Sequence, residues 1–206
     1  MKRTASTALM LLLLAFVVGP LTGTQAKMSG RWACVTKSPL TDGILNCYAG
    51  GFLGAELKFA GLDGIVLEGR SPDWVVLLVE DGRVSFHDAS PVLGRTTAEA
   101  EAWMKSRFGA DVRTLSIGPA GERGVAFAGI FSETRTFGRG GAGAVLGSKR
   151  VKGLAVRGSR GVGTAHPREF AELAAENMGQ LAKACAEQYN LVGMFSRVGT
   201  GAGMGL

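Results

Sequence analysis

The sequence has few of the side chains on which most metal and nucleophile chemistry is built. Its 206 residues include only two histidines and three cysteines. Cys34, Cys47 and Cys185 lie too far apart for Cys-x-x-Cys ligation, and three thiols make no disulfide framework. His87 and His166 have no partner at ligand spacing, and His87-Asp88 reads as turn chemistry. No Asp/Glu pair stands out as an acid–base couple, and Ser38, Ser116 and Ser148 lack the context of a nucleophile elbow. Aromatics are 7% of the chain and none interleaves with Lys149-Arg150-Val151-Lys152, so no nucleic-acid partner is expected. The apolar run Ala8–Val18 is too short to span a bilayer as a helix. With 46% hydrophobic residues, the chain is not intrinsically disordered.

Glycine is abundant. There are 32, about twice the usual share of roughly 7%, with no Gly-X-Y period. Residues 19–69 hold 10 and residues 118–163 hold 13, while the stretch between holds 3. The 118–163 window also carries eight basic residues against Glu122 and Glu133, which accounts for the whole net charge of +6. Bare backbone N–H groups among arginines suit a phosphate-bearing ligand; a basic, solvated surface is the alternative.

Gly138, Gly140 and Gly143 satisfy G-x-G-x-x-G. The dinucleotide motif, however, opens from a strand and is followed by an acid about 20 residues on, and no Asp or Glu occurs between Ala142 and Glu169. Walker A fails because Ser148-Lys149 is in the wrong order. Two readings remain for this segment: an anion-holding loop entering a helix beside Arg135 and Arg139, or tight helix–sheet packing.

Periodicity predicts an α+β fold. Strands are expected at Arg31–Thr36, Ile65–Glu68, Trp74–Glu80, Arg83–His87, Val112–Ile117, Val125–Ile130 and Gly153–Arg157, with a hairpin turn at Asp81-Gly82. Helices are expected at Phe52–Ala60, from a Thr96/Glu99 capping box to about Phe108, and from Pro167 to about Tyr189. Phe131–Phe137 reads as a loop. Phe170, Leu173, Ala174, Met178, Leu181 and Cys185 form an apolar stripe on the last helix. Lys2 and Arg3 ahead of the apolar run, with Thr24-Gln25-Ala26 behind it, resemble a secretory signal; a buried strand ending at Gly19-Pro20 fits the same residues.

Six ordered blocks carry a family resemblance: Gly19 to Thr24, Thr36 to Thr41, Ala49 to Gly61, Asp88-Ala89-Ser90, Ile117 to Glu122, and Gly138 to Lys149. Together they resemble the N-terminal domain of the tungsten-dependent aldehyde:ferredoxin oxidoreductases. The resemblance implies a β-rich α+β base on which a tungsten bis-pterin cofactor lies. Other domains of the family supply a [4Fe–4S] cluster, and the enzymes oxidise aldehydes to carboxylic acids with ferredoxin as electron acceptor. It further implies that Arg31 sits between pterin and cluster, and that Tyr48, Gly50 and Gly51 border the cofactor. Arg135, Thr136, Gly138 and Arg139 match cofactor-contacting positions. Backbone carbonyls of Tyr48 and Thr136 would help hold a magnesium ion linking the pterin phosphates. No catalytic residue carries over, and none of the three cysteines matches a cluster ligand.

The family usually has Asn at the position of Tyr48 and Ala at that of Thr136. It implies residues 1–12 as an atypical or signal-like extension, 13–160 as an incomplete pterin-binding domain, and 161–206 as the start of a helical domain. A neighbouring reading frame is a candidate source of the missing domains, and a homodimer is a candidate assembly. Family members carry an apolar strand where Leu13–Val18 stands, so the resemblance favours a buried strand in a cytoplasmic protein, with export as the alternative. A non-catalytic remnant and a nucleotide-binding module are the other functional readings.

Overall fold

The computed structural model describes residues 13–186 and 191–199. The expected 1–12 extension and the Thr200–Leu206 tail lie outside them, as does the end of the last predicted helix beyond Ala186. Contacts divide the chain into a first unit reaching Val162 and a second formed by Gln25–Lys27 and the residues from Gly163 on.

The first unit is built on two sheets. One has the order β3-β2-β1-β4, with β1 at Leu14–Val18, β2 at Trp32–Lys37, β3 at Ile44–Ala49 and β4 at Gly64–Leu67, all antiparallel. The other has the order β6-β5-β10-β7-β8-β9: β5 at Val75–Glu80, β6 at Arg83–Asp88, β7 at Arg113–Ser116, β8 at Ile130–Ser132, β9 at Arg135–Phe137 and β10 at Val151–Arg157. Only β5 and β10 pair in parallel. Four helices accompany them: α1 at Leu53–Phe59, α2 at Thr97–Phe108, α3 at Pro119–Glu122 and α4 at Ala142–Ser148.

Alternation along β5 explains its unbroken apolar run. Leu77 and Val79 join the main core with Leu14, Phe16 and Trp32 of the first sheet, while Val76 and Leu78 pack with Ala100 and Met104 of α2. A strand covered on both faces has no polar side to show. The α2 capping box forms as its sequence predicts, with Thr96 and Glu99 bonded reciprocally.

Several expectations change. Of the predicted strand Val125–Ile130 only Ile130 is strand, opening β8; the rest is turn and irregular backbone, with the carbonyls of Ala126 and Ala128 facing Gly141 and Gly143 instead of a strand. The predicted loop Phe131–Phe137 is a tight hairpin between β8 and β9, with Glu133 at φ +53°. β3 was not visible in the sequence: Leu45, Cys47 and Ala49 turn inward, but the outward residues include Ile44 and Tyr48, which blur the polar–apolar alternation.

In the second unit, α5 spans Pro167–Ala186 and α6 spans Leu191–Val198. The apolar stripe falls on α5, but only Ala174 of it is buried; Leu173 and Met178 are exposed and Cys185 is half-buried. Among the described residues no helix is long and apolar enough to cross a membrane.

Candidate cofactor-binding surface

The surface begins at the open edge of β3. The Ser38 amide donates to the Gly43 carbonyl at 2.8 Å, closing the β2–β3 hairpin with a hydrogen-bonded pair. Bonded and non-bonded pairs alternate along an antiparallel ladder, and Tyr48 stands opposite Ala33, five pairs on. Its N–H and C=O therefore point away from β2. At the end of the ladder Trp32 pairs with Ala49 and its indole Nε1 donates to the Gly50 carbonyl at 3.0 Å. Arg31, one residue before Trp32, is exposed at that same end.

The second strip arrives through the β8–β9 hairpin. Its two-residue turn makes Ser132 and Arg135 the closing, hydrogen-bonded pair. Thr136 thus also directs its backbone N–H and C=O outward, while its hydroxyl donates to the Ile130 carbonyl at 3.0 Å. β9 is the edge of its sheet and lies beside β3. The join is close at Gly51: a Cβ there would lie 3.1 Å from Cγ of Arg135, and φ is +89°. Glycine is required on both counts.

The structure thus brings the two sets of sequence-selected residues onto neighbouring strand edges. Arg31, Tyr48, Arg135, Thr136, Gly138 and Arg139 are exposed, and Gly50 and Gly51 are half-buried. Arg31, Arg135 and Arg139 make no ion pair among the described residues. By contrast, Arg157 is held by Glu80 and Asp111. Exposed guanidiniums without carboxylate partners, next to outward carbonyls and glycine backbone, suit a ligand carrying phosphates and a bridging cation. Asn46, Phe52 and Arg113 were missed by the sequence reading. Asn46 Nδ2 donates to the Tyr48 hydroxyl at 2.8 Å, and the Arg113 guanidinium lies 4.9 Å above the exposed Phe52 ring. Their signal was weak because they meet only through the pairing of β3 and the approach of β7.

Gly141 and Gly143 of the basic window have a different job. A Cβ at Gly141 would lie 1.9 Å from the Ala126 carbonyl oxygen, and one at Gly143 would lie 2.3 Å from that of Gly129. The Gly143 amide donates to Ala128, and residues 142–147 are all buried. Ser38 ties this loop down, its hydroxyl donating to the Gly140 carbonyl at 2.7 Å and accepting from the amides of Leu40 and Thr41. The space a pyrophosphate needs is filled by protein, so α4 is a packing helix and the nucleotide-binding reading fails.

Nor is the basic window wholly a solvated surface. Lys149 and Lys152 are buried; Lys152 pairs with Glu122 at 2.5 Å and Lys149 donates to the Gly69 carbonyl at 3.1 Å. Burial lowers the pKa of Lys149, and Glu68 partly opposes that shift. Cys34, opposite Cys47 on β3, is pushed up to about 12, first by burial and then by Cys47. A thiol so reluctant to ionise is a packed side chain. Among the described residues no group of three or more His, Cys, Asp or Glu is placed to hold a metal.

Comparisons with known proteins point the same way. Residues 11–158 match the family model described as aldehyde ferredoxin oxidoreductase, N-terminal domain. A tungsten-containing aldehyde ferredoxin oxidoreductase of Pyrococcus abyssi is 45% identical over 172 residues, 82% of this chain and 28% of that protein. One from Thermococcus kodakarensis is 46% identical over 165 residues, 79% of this chain and 27% of its own length. An aliphatic sulfonate oxidoreductase, WOR-like subunit, of Pyrococcus furiosus is 32% identical over 161 residues, 71% of this chain and 26% of that protein. Among solved structures, the active site complex BamBC of benzoyl coenzyme A reductase, in complex with 1,5-dienoyl-CoA, superposes with a TM-score of 0.81. It is 36% identical, with 84% of this chain and 27% of that chain covered. The chain thus spans just over a quarter of the length of the relatives it matches.

Proposed function

The chain belongs to the aldehyde ferredoxin oxidoreductase family, as the N-terminal domain of such an oxidoreductase, and on that premise we propose that its β3/β9 surface carries a tungsten bis-pterin. The observation that carries this reading is the meeting of Gly51 with Arg135, which joins two arginine-bearing strips along adjacent open edges. Arg31, Arg135 and Arg139 hold and neutralise anionic groups of the cofactor, and Gly50 and Gly51 let it approach the backbone closely. The outward carbonyls of Tyr48 and Thr136 offer oxygen ligands for magnesium, the donor type that this hard cation takes. Because those ligands are backbone atoms, the Tyr and Thr side chains leave them in place. When bound, the tungsten bis-pterin supplies two-electron oxidation of an aldehyde to a carboxylic acid. A [4Fe–4S] cluster, as electron carrier towards ferredoxin, would be held by ligands from outside this domain, since Cys34, Cys47 and Cys185 match none of them. Residues from Gly163 on begin a helical portion of the enzyme.

An Arg135→Ala/Arg139→Ala double variant is expected to lose at least about tenfold of its retained pterin, since each charge-assisted hydrogen bond contributes roughly 1.5–3 kcal/mol. The measurement is pterin fluorescence and tungsten content of protein purified from a tungsten-supplied, pterin-making host, with circular dichroism as the fold control. Undiminished pterin in the variant, or none in the unaltered protein, would overturn the reading.

We also propose that the chain keeps its N-terminus and acts in the cytoplasm. Cleavage after Ala26 would remove β1, which pairs with both β2 and β4. N-terminal sequencing is expected to find a start ahead of Leu14, with β1 retained; a mature protein starting at Lys27 would count against it.

A further inference from the structure

β2 and β3 set two thiols face to face: Cys34 stands directly opposite Cys47 in the ladder between them. We propose that this pair is a redox-active dithiol, in which hydrogen peroxide oxidises Cys47 and Cys34 then closes a reversible disulfide across the two strands. The inference is independent of cofactor binding.

Residues directly opposite one another in an antiparallel pair share a face of the sheet. Here that face is the core side, where Cys34 is buried and Cys47 packs against the same cluster while staying half-buried. Counting on from the closing Ser38–Gly43 bond, the Cys34–Cys47 pair is the fourth and is again hydrogen-bonded. Such a pair holds its Cα atoms about 5.5 Å apart, inside the roughly 4.4–6.8 Å that a disulfide spans. Neither strand has to slip, because the register is unbroken from Trp32–Ala49 to Lys37–Ile44. Closure draws the Cβ atoms in from about 5.5 Å to about 3.8 Å. A bridge strained in this way is the more easily reduced, which separates a switchable link from a structural one.

Exposure assigns the order of events. Cys47 is the thiol of the pair that solvent reaches, so its thiolate attacks the peroxide and the O–O bond breaks. Cys47 becomes a sulfenic acid, and the departing hydroxide takes up the proton that the thiol lost, giving water. The Cys34 sulfur then attacks the Cys47 sulfur. The S–O bond breaks, the S–S bond forms, and the Cys34 proton leaves with the hydroxyl as a second water. The two sulfurs lose two electrons in all, and one peroxide is reduced to two waters. Cys34 is not the first to react: burial, with Cys47 adding to the effect, pushes it up to about 12. Fully buried, it is reached through the sulfur opposite. Its part is to capture the sulfenic acid before a second peroxide carries Cys47 on to a sulfinic acid, which thiols do not reverse. Cys185 lies in the second unit, outside this ladder.

Trypsin separates the two thiols, because Lys37 lies between them: Cys34 falls on the peptide Trp32–Lys37 and Cys47 on Ser38–Lys58. The full 206-residue chain, fully reduced, is exposed to hydrogen peroxide, capped with N-ethylmaleimide in denaturant and mapped by mass spectrometry. The two peptides are expected to be joined in most of the oxidised protein, and to come apart when glutathione is added before capping. Both thiols capped, or Cys47 carrying extra oxygens beside a capped Cys34, would overturn the proposal, and a bridge that resists glutathione would overturn its reversibility. Cys34→Ala, with circular dichroism as the fold control, is expected to raise the sulfinic fraction of Cys47 several-fold; an unchanged fraction would show that Cys34 does not resolve the sulfenic acid. Cys185→Ser is expected to leave the joined peptides in place, and their loss would overturn direct closure. Should Cys34→Ala misfold, the joined peptides of the unaltered chain decide.

Discussion

Replacing Trp32 with alanine is expected to lower the stability of the first unit by about 3–5 kcal/mol. The indole is 1% exposed and stands where the two sheets face one another. Its ring lies 5.6 Å from that of Phe16 on β1 and 4.6 Å, edge-on, from that of Phe137 on β9. Its own Cβ and Cγ fill the space beside Gly54 of α1, where an added Cβ would sit 3.1 Å from either atom. The void left by alanine is thus bounded by strands from both sheets and by α1, and ladders on every side resist collapse into it. The loss is a large share of the roughly 5–15 kcal/mol that holds a domain folded. Urea denaturation followed by circular dichroism measures it. Trp32→Phe is expected to cost less, keeping most of the aromatic contact while giving up the bond to the Gly50 carbonyl. Equal midpoints for Trp32→Ala and the unaltered chain would show that this aromatic trio does not couple the sheets.

Gly147→Ala is expected to destabilise by about 1–3 kcal/mol or more, although helix propensity alone predicts a gain of about 1 kcal/mol for that exchange. Gly147 lies in the last turn of α4. A Cβ there would fall 2.0 Å from the carbonyl oxygen of Gly121 and 2.7 Å from its carbonyl carbon. Both belong to the backbone of α3, so relief requires the two helices to separate. Such separation would disturb Glu122, whose carboxylate pairs with Lys152 and accepts from the Gly94 amide. The sign of the effect is the test. A raised melting temperature would mean that α3 and α4 are not packed backbone to backbone, whereas a lowered one separates the packing role of this glycine from the conformational one.

The apolar run of β5, the capping box of α2 and the Asp81-Gly82 turn were all legible in the chain, because each rests on neighbours within a few residues. β3 was hidden, since its outward residues include Ile44 and Tyr48 and so show no polar–apolar alternation. The 118–163 window shows the limit most clearly. Its glycines share one composition but have two duties: Gly138 stays exposed beside Arg139, whereas Gly141, Gly143 and Gly147 accommodate other stretches of backbone. Its basic residues divide likewise, with Arg135 and Arg139 exposed and Lys149 and Lys152 buried.

By itself the sequence determined the α+β class, most strands and helices, and, through its ordered blocks, the family. It also singled out Arg31, Tyr48, Gly50, Gly51, Arg135, Thr136, Gly138 and Arg139. Only the tertiary structure decided that Gly51 meets Arg135 across some 80 intervening residues, that the Tyr48 and Thr136 carbonyls point off neighbouring edges, and that Cys34 stands opposite Cys47. The physical reason is one of range. Propensity, capping and turn chemistry act over a few residues, whereas the direction of a backbone carbonyl and the filling of a glycine's empty face depend on which distant strand lies alongside.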